Sequence, residues 1–115
     1  MRIESFGTRR RIRRSPGERL RDAVLALAGD RARLARHVEK NWASITFAGT
    51  RHRFELVFPA MAIAAGERFV AELPEHEFAI PGQLVADATI TAADHAMLPE
   101  ERLAVTCELL LLEEG

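Results

Sequence analysis

Cysteine and lysine are nearly absent from this sequence, and several common functional motifs are missing. The single cysteine, Cys107, excludes an intramolecular disulfide and any zinc site built from cysteines. The longest apolar run, Leu109 to Leu112, is far shorter than the roughly 20 residues that a membrane-spanning helix needs. Glycine-rich nucleotide loops and the Gly-x-Ser-x-Gly motif of serine hydrolases do not occur. We therefore predict no cofactor.

A secretory signal is also missing. Arg21 and Asp22 interrupt the apolar stretch from Leu20 to Ala28, so we expect a cytoplasmic protein that does not associate with membranes. Fifteen arginines against one lysine, together with 19 alanines, favour a bacterial source with a GC-rich genome. With 48% hydrophobic and 29% charged residues among 115, the chain has the composition and length of one globular domain.

Positive charge is concentrated at the start of the chain. Residues 1–22 hold eight arginines and three acidic residues, whereas the rest of the chain has a formal charge of −6. Clustered guanidinium groups bind anionic groups, so we expect residues 1–14, the arginine leader, to hold an acidic partner. A protein is the preferred partner and a nucleic acid the alternative, because no aromatic residues or known nucleic-acid module accompany the arginines. The residues expected to make this contact are Arg9, Arg10, Arg11, Arg13 and Arg14.

A helix follows the leader. Residues 15–18, Ser-Pro-Gly-Glu, fit a capping box with proline at the first helical position, so the helix begins at Pro16. Apolar residues then recur at helical spacing, at Leu20, Val24, Leu27, Leu34 and Val38. This spacing predicts one helix over about residues 16–40. The alternative ends the helix at Gly29 and begins a second helix at Asp30.

Beyond residue 41 the apolar period changes from 3.6 to 2, with Ile45 and Phe47 on one face of a strand, which predicts a β-hairpin with its turn near Gly49. A second helix follows between Pro59 and Pro74, and its inward face carries Ala62, Ala65, Phe69 and Leu73. A turn at Pro81-Gly82 leads into two further strands, residues 84–91 and 102–112, and the first of them directs Leu84 and Ile90 inward. The second of these strands places alternate apolar residues on one face.

This order of elements predicts an α+β domain over residues 15–115. Its antiparallel sheet has about four strands in two hairpins, packed by two helices in two layers, in the order α-β-β-α-β-β. Residues 1–14 form either a basic arm or an extra N-terminal strand, which would give a variant of the ferredoxin-like fold. No internal repeat and no resemblance to a known family is evident.

Glu72, Glu75 and His76 form a polar cluster around Pro74. A carboxylate beside an imidazole can act in general acid–base catalysis when both are buried in a cleft. A helix end followed by a solvated loop explains the same residues without catalysis. A small enzyme or ligand-binding protein, with a pocket between sheet and helices, is therefore the alternative function.

The four histidines are too far apart in sequence for a helical metal site. Such a site needs two ligands one turn apart, and the nearest pair, His37 and His52, is separated by 15 residues. We therefore predict no metal ion. His52 lies between Arg51 and Arg53, whose charges disfavour its protonated form, and we predict that it occupies an exposed strand position beside a turn.

The last strand is apolar on both faces near its end. Cys107 belongs to its core face, where burial raises the pKa of a thiol. Leu110 and Leu112 belong to the other face, where a two-layer fold has no second layer, so we expect them to be exposed unless the N-terminal segment or a second copy of the chain covers them. They predict a homodimer, formed by face packing or by edge-strand pairing. The main hypothesis is a non-enzymatic binding or assembly module that self-associates and uses its leader to hold an acidic partner.

Overall fold

The computed structural model describes residues 14–114, which form two helices and four strands in the expected order. The elements are α1 (Pro16–Leu27), β1 (Arg33–Ala43), β2 (Ala48–Pro59), α2 (Ile63–Glu72), β3 (Gln83–Ala96) and β4 (Arg102–Glu113). The α+β prediction is confirmed, whereas the extra strand considered for the leader lies outside the described residues. No helix among residues 14–114 is long and apolar enough to cross a membrane.

Helix α1 begins as the sequence predicts. The backbone amide of Glu18 donates to Ser15 Oγ at 3.1 Å, and the backbone amide of Ser15 donates to Glu18 Oε1 at 2.9 Å. These two hydrogen bonds complete the capping box, and Pro16 fills the first helical position, where no amide hydrogen is required. The hydrogen bond from the Ser15 backbone also lowers the pKa of the Glu18 carboxyl.

The predicted continuation of this helix to residue 40 is wrong. The backbone is left-handed at Gly29 (φ 72°) and at Asp30 (φ 54°). The amide of Gly29 donates to the carbonyl of Ala26, and the amide of Asp30 donates to that of Leu25, which are the two hydrogen bonds of a Schellman motif. The helix therefore ends at this glycine, as in the alternative interpretation, but no second helix begins at Asp30.

Residues 33–43 form strand β1 instead of a helix. A β-bulge between Leu34 and Arg36 shifts the alternation of side chains along the strand. Leu34 therefore packs against the core, whereas Val38 lies on the opposite side of the sheet. Leu34 and Val38 are spaced as if they shared one face of a helix. They lie on opposite faces of a strand instead, because the Schellman motif has already ended the helix.

The sheet has the strand order β1-β2-β4-β3, and every neighbouring pair is antiparallel. Both helices pack on one side of it, which we call the helix face; the other side is the open face. Burial of a large apolar side chain contributes roughly 1.5–3 kcal/mol, so this single core dominates the stability of the fold. Its strand residues, all at most 6% exposed, are Phe54, Leu56, Phe58, Leu103, Val105, Cys107, Leu109 and Leu111.

Helix α2 approaches the sheet closely at a glycine. A Cβ atom at Gly66 would lie 2.7 Å from Leu103 Cδ2 and 2.9 Å from Phe58 Cδ1. The absence of a side chain lets the helix pack directly on β2 and β4, and Phe69 contacts Phe58 with ring centroids 5.9 Å apart. The packing thus requires glycine at position 66, although glycine lowers the stability of an isolated helix. The predicted inward residues are confirmed as buried: Ala62, Ala65, Phe69 and Leu73.

The first hairpin turns earlier than predicted, at residues 44–47 rather than near Gly49. The amide of Ser44 donates to the carbonyl of Phe47 at 2.8 Å, and the amide of Phe47 donates to Ser44 Oγ at 3.1 Å. These bonds fix a four-residue turn. Ile45 and Phe47, which the alternating pattern assigned to a strand, are exposed in it.

The predicted turn before β3 is confirmed, and Gly82 adopts the positive φ of 75° that favours glycine. Two β-bulges then interrupt β3, the first of them after Val85. Leu84, expected on the helix face, therefore lies on the open face and is 50% exposed. Ile90 packs against the core as expected.

Gly49 provides a test of the β2–β4 pairing. A Cβ atom there would lie 1.8 Å from the Leu111 carbonyl oxygen and 2.9 Å from its carbon. Because these are backbone atoms, rotation of a side chain cannot relieve the clash. We expect Gly49→Ala to lower the free energy of unfolding in urea by about 3 kcal/mol, the upper end for overpacking. Ser44→Thr, which adds a methyl group in the neighbouring exposed turn, should change it by less than about 0.5 kcal/mol; equal effects would contradict the close approach.

Candidate functional site

Strands β1 and β2 place a group of cations on the open face. Arg36, Lys40, Arg51 and Arg53 line one groove, with Glu108 of β4 as the acidic residue at its side. Lys40 and Arg51 are direct cross-strand partners, and like charges in that position repel each other. The groove therefore favours an incoming anionic group. The sequence prediction missed it, because it assigned Arg36 and Lys40 to a helix.

The two edge strands of the sheet carry opposite charges. On the open face β1 contributes Arg33, Arg36 and Lys40, whereas β3 contributes Asp87 and Asp94. All five side chains are exposed. Among residues 14–114, no strand pairs with the outer side of β1 or β3. An unpaired edge is a place where a strand of another chain can be added.

Both hairpin turns expose large apolar side chains. Ile45 is fully exposed and Phe47 is 52% exposed in the β1–β2 turn, and Met97 and Leu98 are 62% and 80% exposed in the β3–β4 turn. The strand pairings place these turns at opposite ends of the sheet. The Arg102 guanidinium donates to the Leu98 carbonyl at 2.8 Å and so holds the second turn. Apolar side chains exposed together in a turn are available for contact with another molecule.

Leu110 and Leu112 lie on the open face, but the expectation that they are exposed is wrong. Each side chain is only 8% exposed. Both belong to β4, an inner strand, where residues on each side can cover them. Leu110 lies between Arg51 and Asp87, and Leu112 lies beside Leu84. The two residues therefore do not form an exposed leucine patch, and their role as an oligomer interface stays a prediction.

Of the five leader arginines expected to hold an acidic partner, one falls among the described residues. Arg14 Nη1 lies 3.2 Å from Asp22 Oδ2, and the two side chains are about half exposed. An exposed pair of this kind contributes little to stability. Arg9, Arg10, Arg11 and Arg13 lie outside the described residues, and their contact with an acidic partner stays a prediction.

The predicted catalytic cluster lies at the end of α2. Glu72, Glu75 and His76 line a shallow depression together with Ala71, and all three are exposed. The His76 ring packs edge-on against Phe78, with centroids 4.5 Å apart. Water reaches these side chains freely, whereas a carboxylate–imidazole pair acts best in a sheltered cleft. Catalysis here stays an untested alternative.

A second polar cluster, which we call the histidine cluster, lies on the helix face. His52 is fully buried, contrary to the predicted exposed position. Its Nδ1 lies 2.9 Å from His37 Nε2, and its Nε2 lies 2.8 Å from Thr50 Oγ1. Glu39 Oε1 is 3.9 Å from the same Nδ1. The start of α1 covers the cluster closely, since a Cβ atom at Gly17 would lie 2.6 Å from Glu39 Oε1.

Burial lowers the pKa of both histidines below the ordinary value. For His52, desolvation is the largest cause; the Glu39 carboxylate opposes it and His37 adds to it. For His37, desolvation again dominates, Glu39 opposes it and Arg21 adds to it. The direction predicted for His52 is right, but its main cause is burial rather than the flanking arginines. The alternation of β2, which continues through residue 52, is the signal that could have revealed this burial.

The predicted core position of Cys107 is confirmed. Its side chain is fully buried, and burial raises the pKa of the thiol to about 12. The thiol is therefore protonated at neutral pH and is not a reactive nucleophile.

Comparison with known proteins identifies one informative likeness. The sequence matches no protein-family model and no curated protein. Among solved structures, a chain from "Virion of native gene transfer agent (GTA) particle" has a similar fold, with a TM-score of 0.51 and 14% sequence identity. The superposition covers 96% of this chain and 100% of that chain. At this identity the likeness shows the fold.

The histidine cluster predicts a pH-dependent stability. The unfolded histidines titrate near pH 6.5, and the folded ones below it, so the unfolded chain binds more protons as the pH falls. For metal-free protein we expect the free energy of unfolding to decrease between about pH 7.5 and pH 5.5, with a slope of up to about 1.4 kcal/mol per pH unit for each such proton. His52→Gln should flatten this slope, whereas His76→Gln, at an exposed site, should not. Stability that rises on acidification would contradict the burial argument.

Proposed function

We propose that this chain is a structural component of a particle, in which its copies assemble with one another. The observation that carries the proposal is the likeness to a chain of a gene transfer agent virion, which extends over that whole chain. That chain is part of a virion particle, so a chain of this fold and length can occur as a particle component. The charged edges and apolar turns of the present chain are the surfaces available for such contacts.

The charges of the sheet edges favour a head-to-tail contact. The four strands alternate in direction, so β1 and β3 run antiparallel to each other across the sheet. A second copy in the same orientation can therefore add its β1 antiparallel to β3 of the first copy and extend the sheet. This contact brings Arg36 and Lys40 of one copy near Asp87 and Asp94 of the next, and opposite charges on adjacent strands attract.

A symmetric homodimer formed by edge-strand pairing, one of the two arrangements predicted from the sequence, is less compatible with these charges. A two-fold axis at an edge pairs β1 with β1 or β3 with β3, which places like charges near one another. Repetition of the head-to-tail contact instead gives a closed ring or an open filament. We therefore propose head-to-tail association, with the homodimer as an outcome to be tested.

The apolar turns supply contacts in a second direction. Ile45 and Phe47 extend from one end of the sheet, and Met97 and Leu98 extend from the other. Edge pairing runs across the strands, whereas the turns point along them. In a particle, the turns would meet the molecules above and below a row of edge-paired copies.

We further propose that the arginine leader holds an acidic protein partner. The support is its charge, since six of the chain's 16 basic residues lie in residues 1–14. Acidic side chains on the β3 edge of an adjacent copy, Asp87 and Asp94, are of the required chemistry. The same leader could bind a nucleic acid, which is the alternative that experiment must separate.

Charge exchange tests the edge contact. We expect the purified chain to self-associate at tens of micromolar, and Arg36→Glu combined with Lys40→Glu to weaken association about tenfold or more, which corresponds to about 1.4 kcal/mol. Adding Asp87→Lys and Asp94→Lys to those changes should restore it. The measurement is mass by light scattering over a range of concentrations.

The control for this experiment is Arg68→Glu, a charge reversal at an exposed position of α2. It should leave the measured mass unchanged. A monomeric wild-type chain would contradict self-association, and a stable two-copy mass would favour the homodimer. Failure of the exchanged charges to restore association would contradict the edge assignment.

Deletion of residues 1–13 tests the leader. The deletion leaves Arg14 paired with Asp22 and leaves the Ser15 cap intact, so we expect the unfolding temperature to stay unchanged. Binding of polyglutamate should be lost, and in the full chain it should weaken as salt increases. Stronger binding of single-stranded DNA than of polyglutamate would favour the nucleic-acid alternative. Binding that persists after deletion, or that salt does not affect, would contradict both.

A further inference from the structure

The histidine cluster brings three metal-binding side chains together from two neighbouring strands. His37 and Glu39 belong to β1 and His52 belongs to β2. One ligand atom from each lies within 4.8 Å of the others. Two imidazole nitrogens and one carboxylate oxygen form a common ligand set for zinc, which takes a water molecule as a fourth ligand. We propose that His37, Glu39 and His52 bind a zinc ion.

The contact between the two imidazoles indicates where the ion would lie. His52 Nδ1 and His37 Nε2 are 2.9 Å apart, so one proton must lie between them when no ion is bound. If His37 takes its other neutral tautomer, with its proton on Nδ1 after exchange with water, the lone pairs of His37 Nε2 and His52 Nδ1 face the same point. A zinc ion can then bind at this point, with small displacements that open the two nitrogens to distances of about 2.0–2.1 Å from the metal.

Neighbouring side chains already orient both rings for this role. Thr50 Oγ1 lies 2.8 Å from His52 Nε2, and by accepting a hydrogen bond from Nε2–H it would leave Nδ1 as the free ligand atom. The His37 ring stacks on Phe54, with centroids 4.2 Å apart and an interplanar angle of 22°. Hydrogen bonds and packing around metal ligands fix ring orientation in known sites and raise affinity.

Some charges around the cluster disfavour a bound cation and one favours it. The positive N-terminal end of α1 lies beside the cluster, and the positive charge of Arg21 lowers the pKa of His37, so both disfavour a cation. The Glu39 carboxylate opposes them directly as a ligand. Glu39 is about half exposed and lines a depression with Gly17 and Thr50, which gives water access to the open coordination position.

Zinc binding of this kind goes beyond particle assembly and is tested separately from it. The tag-free chain, treated with chelator and dialysed, is titrated with zinc chloride by calorimetry. We expect one zinc ion per chain and a higher unfolding temperature in its presence, because an ion that binds only the folded state stabilises it. Cobalt in place of zinc should give the visible absorption of a four-coordinate site.

Three variants separate this site from nonspecific binding. His37→Gln and Glu39→Gln, at incompletely buried positions, should each weaken zinc binding by about 100-fold or more, while Thr50→Val should weaken it about tenfold. The control is His95→Gln, because His95 Nε2 lies 2.8 Å from Glu101 Oε2 in an exposed histidine–carboxylate pair. Thermal unfolding without zinc verifies that each variant is folded.

Several results would overturn the proposal. They are the absence of saturable zinc binding by the wild-type chain, unchanged affinity in folded His37→Gln and Glu39→Gln, or an equal loss in His95→Gln. Each of these can occur whether or not the chain self-associates, so failure of the zinc site and failure of the assembly proposal are distinguishable.

Discussion

The pairing of β2 with β4 is the constraint on which the rest of the structure depends. From Gly49 to Pro59 every residue of β2 has a partner in β4, and the apolar residues of the two strands coincide in phase. Phe54 lies opposite Cys107 and Leu56 opposite Val105, so one face of the inner sheet is mostly apolar, with Thr50 and His52 as its polar residues. Both helices must cover that face, since an apolar layer left in water would be unstable. The charged residues of the same strands are thereby placed on the open face.

Most elements could be predicted from local signals, because those signals act within a few residues. The capping box at Ser15, the helix boundaries at Pro59 and Pro74 and the period of two in β4 are of this kind. The prediction failed at residues 33–43, where helical spacing continued past the Schellman motif at Gly29. A spacing rule counts positions along the chain and does not recognise a change of backbone conformation or a β-bulge, and both occur here.

That one error also hid the candidate sites. With β1 assigned to a helix, nothing predicted a contact between His37 and His52, and their sequence separation of 15 implied a large distance. In the hairpin the chain reverses between them, so that the two residues lie on neighbouring strands. The burial of His52 was available from the alternation that runs through Phe54, but the flanking arginines suggested exposure. The opposite charges of the two sheet edges could not be recognised either, since strand order depends on long-range pairing.

Strand β1 connects the two proposals, because its alternation divides its side chains between them. His37 and Glu39 point to the helix face and join the histidine cluster, while Arg36 and Lys40 point to the open face along the sheet edge. β1 therefore packs against the rest of the fold with little apolar surface. Its backbone hydrogen bonds to β2 and the hydrogen bond between the histidines keep it in the sheet.

A ligand that binds the cluster would restrict the motion of β1 relative to β2. An edge strand restricted in this way loses less conformational freedom when another chain pairs with it. The start of α1 covers the cluster from above through Gly17 and leaves the outer side of β1 open among the described residues, so both events can take place on one strand.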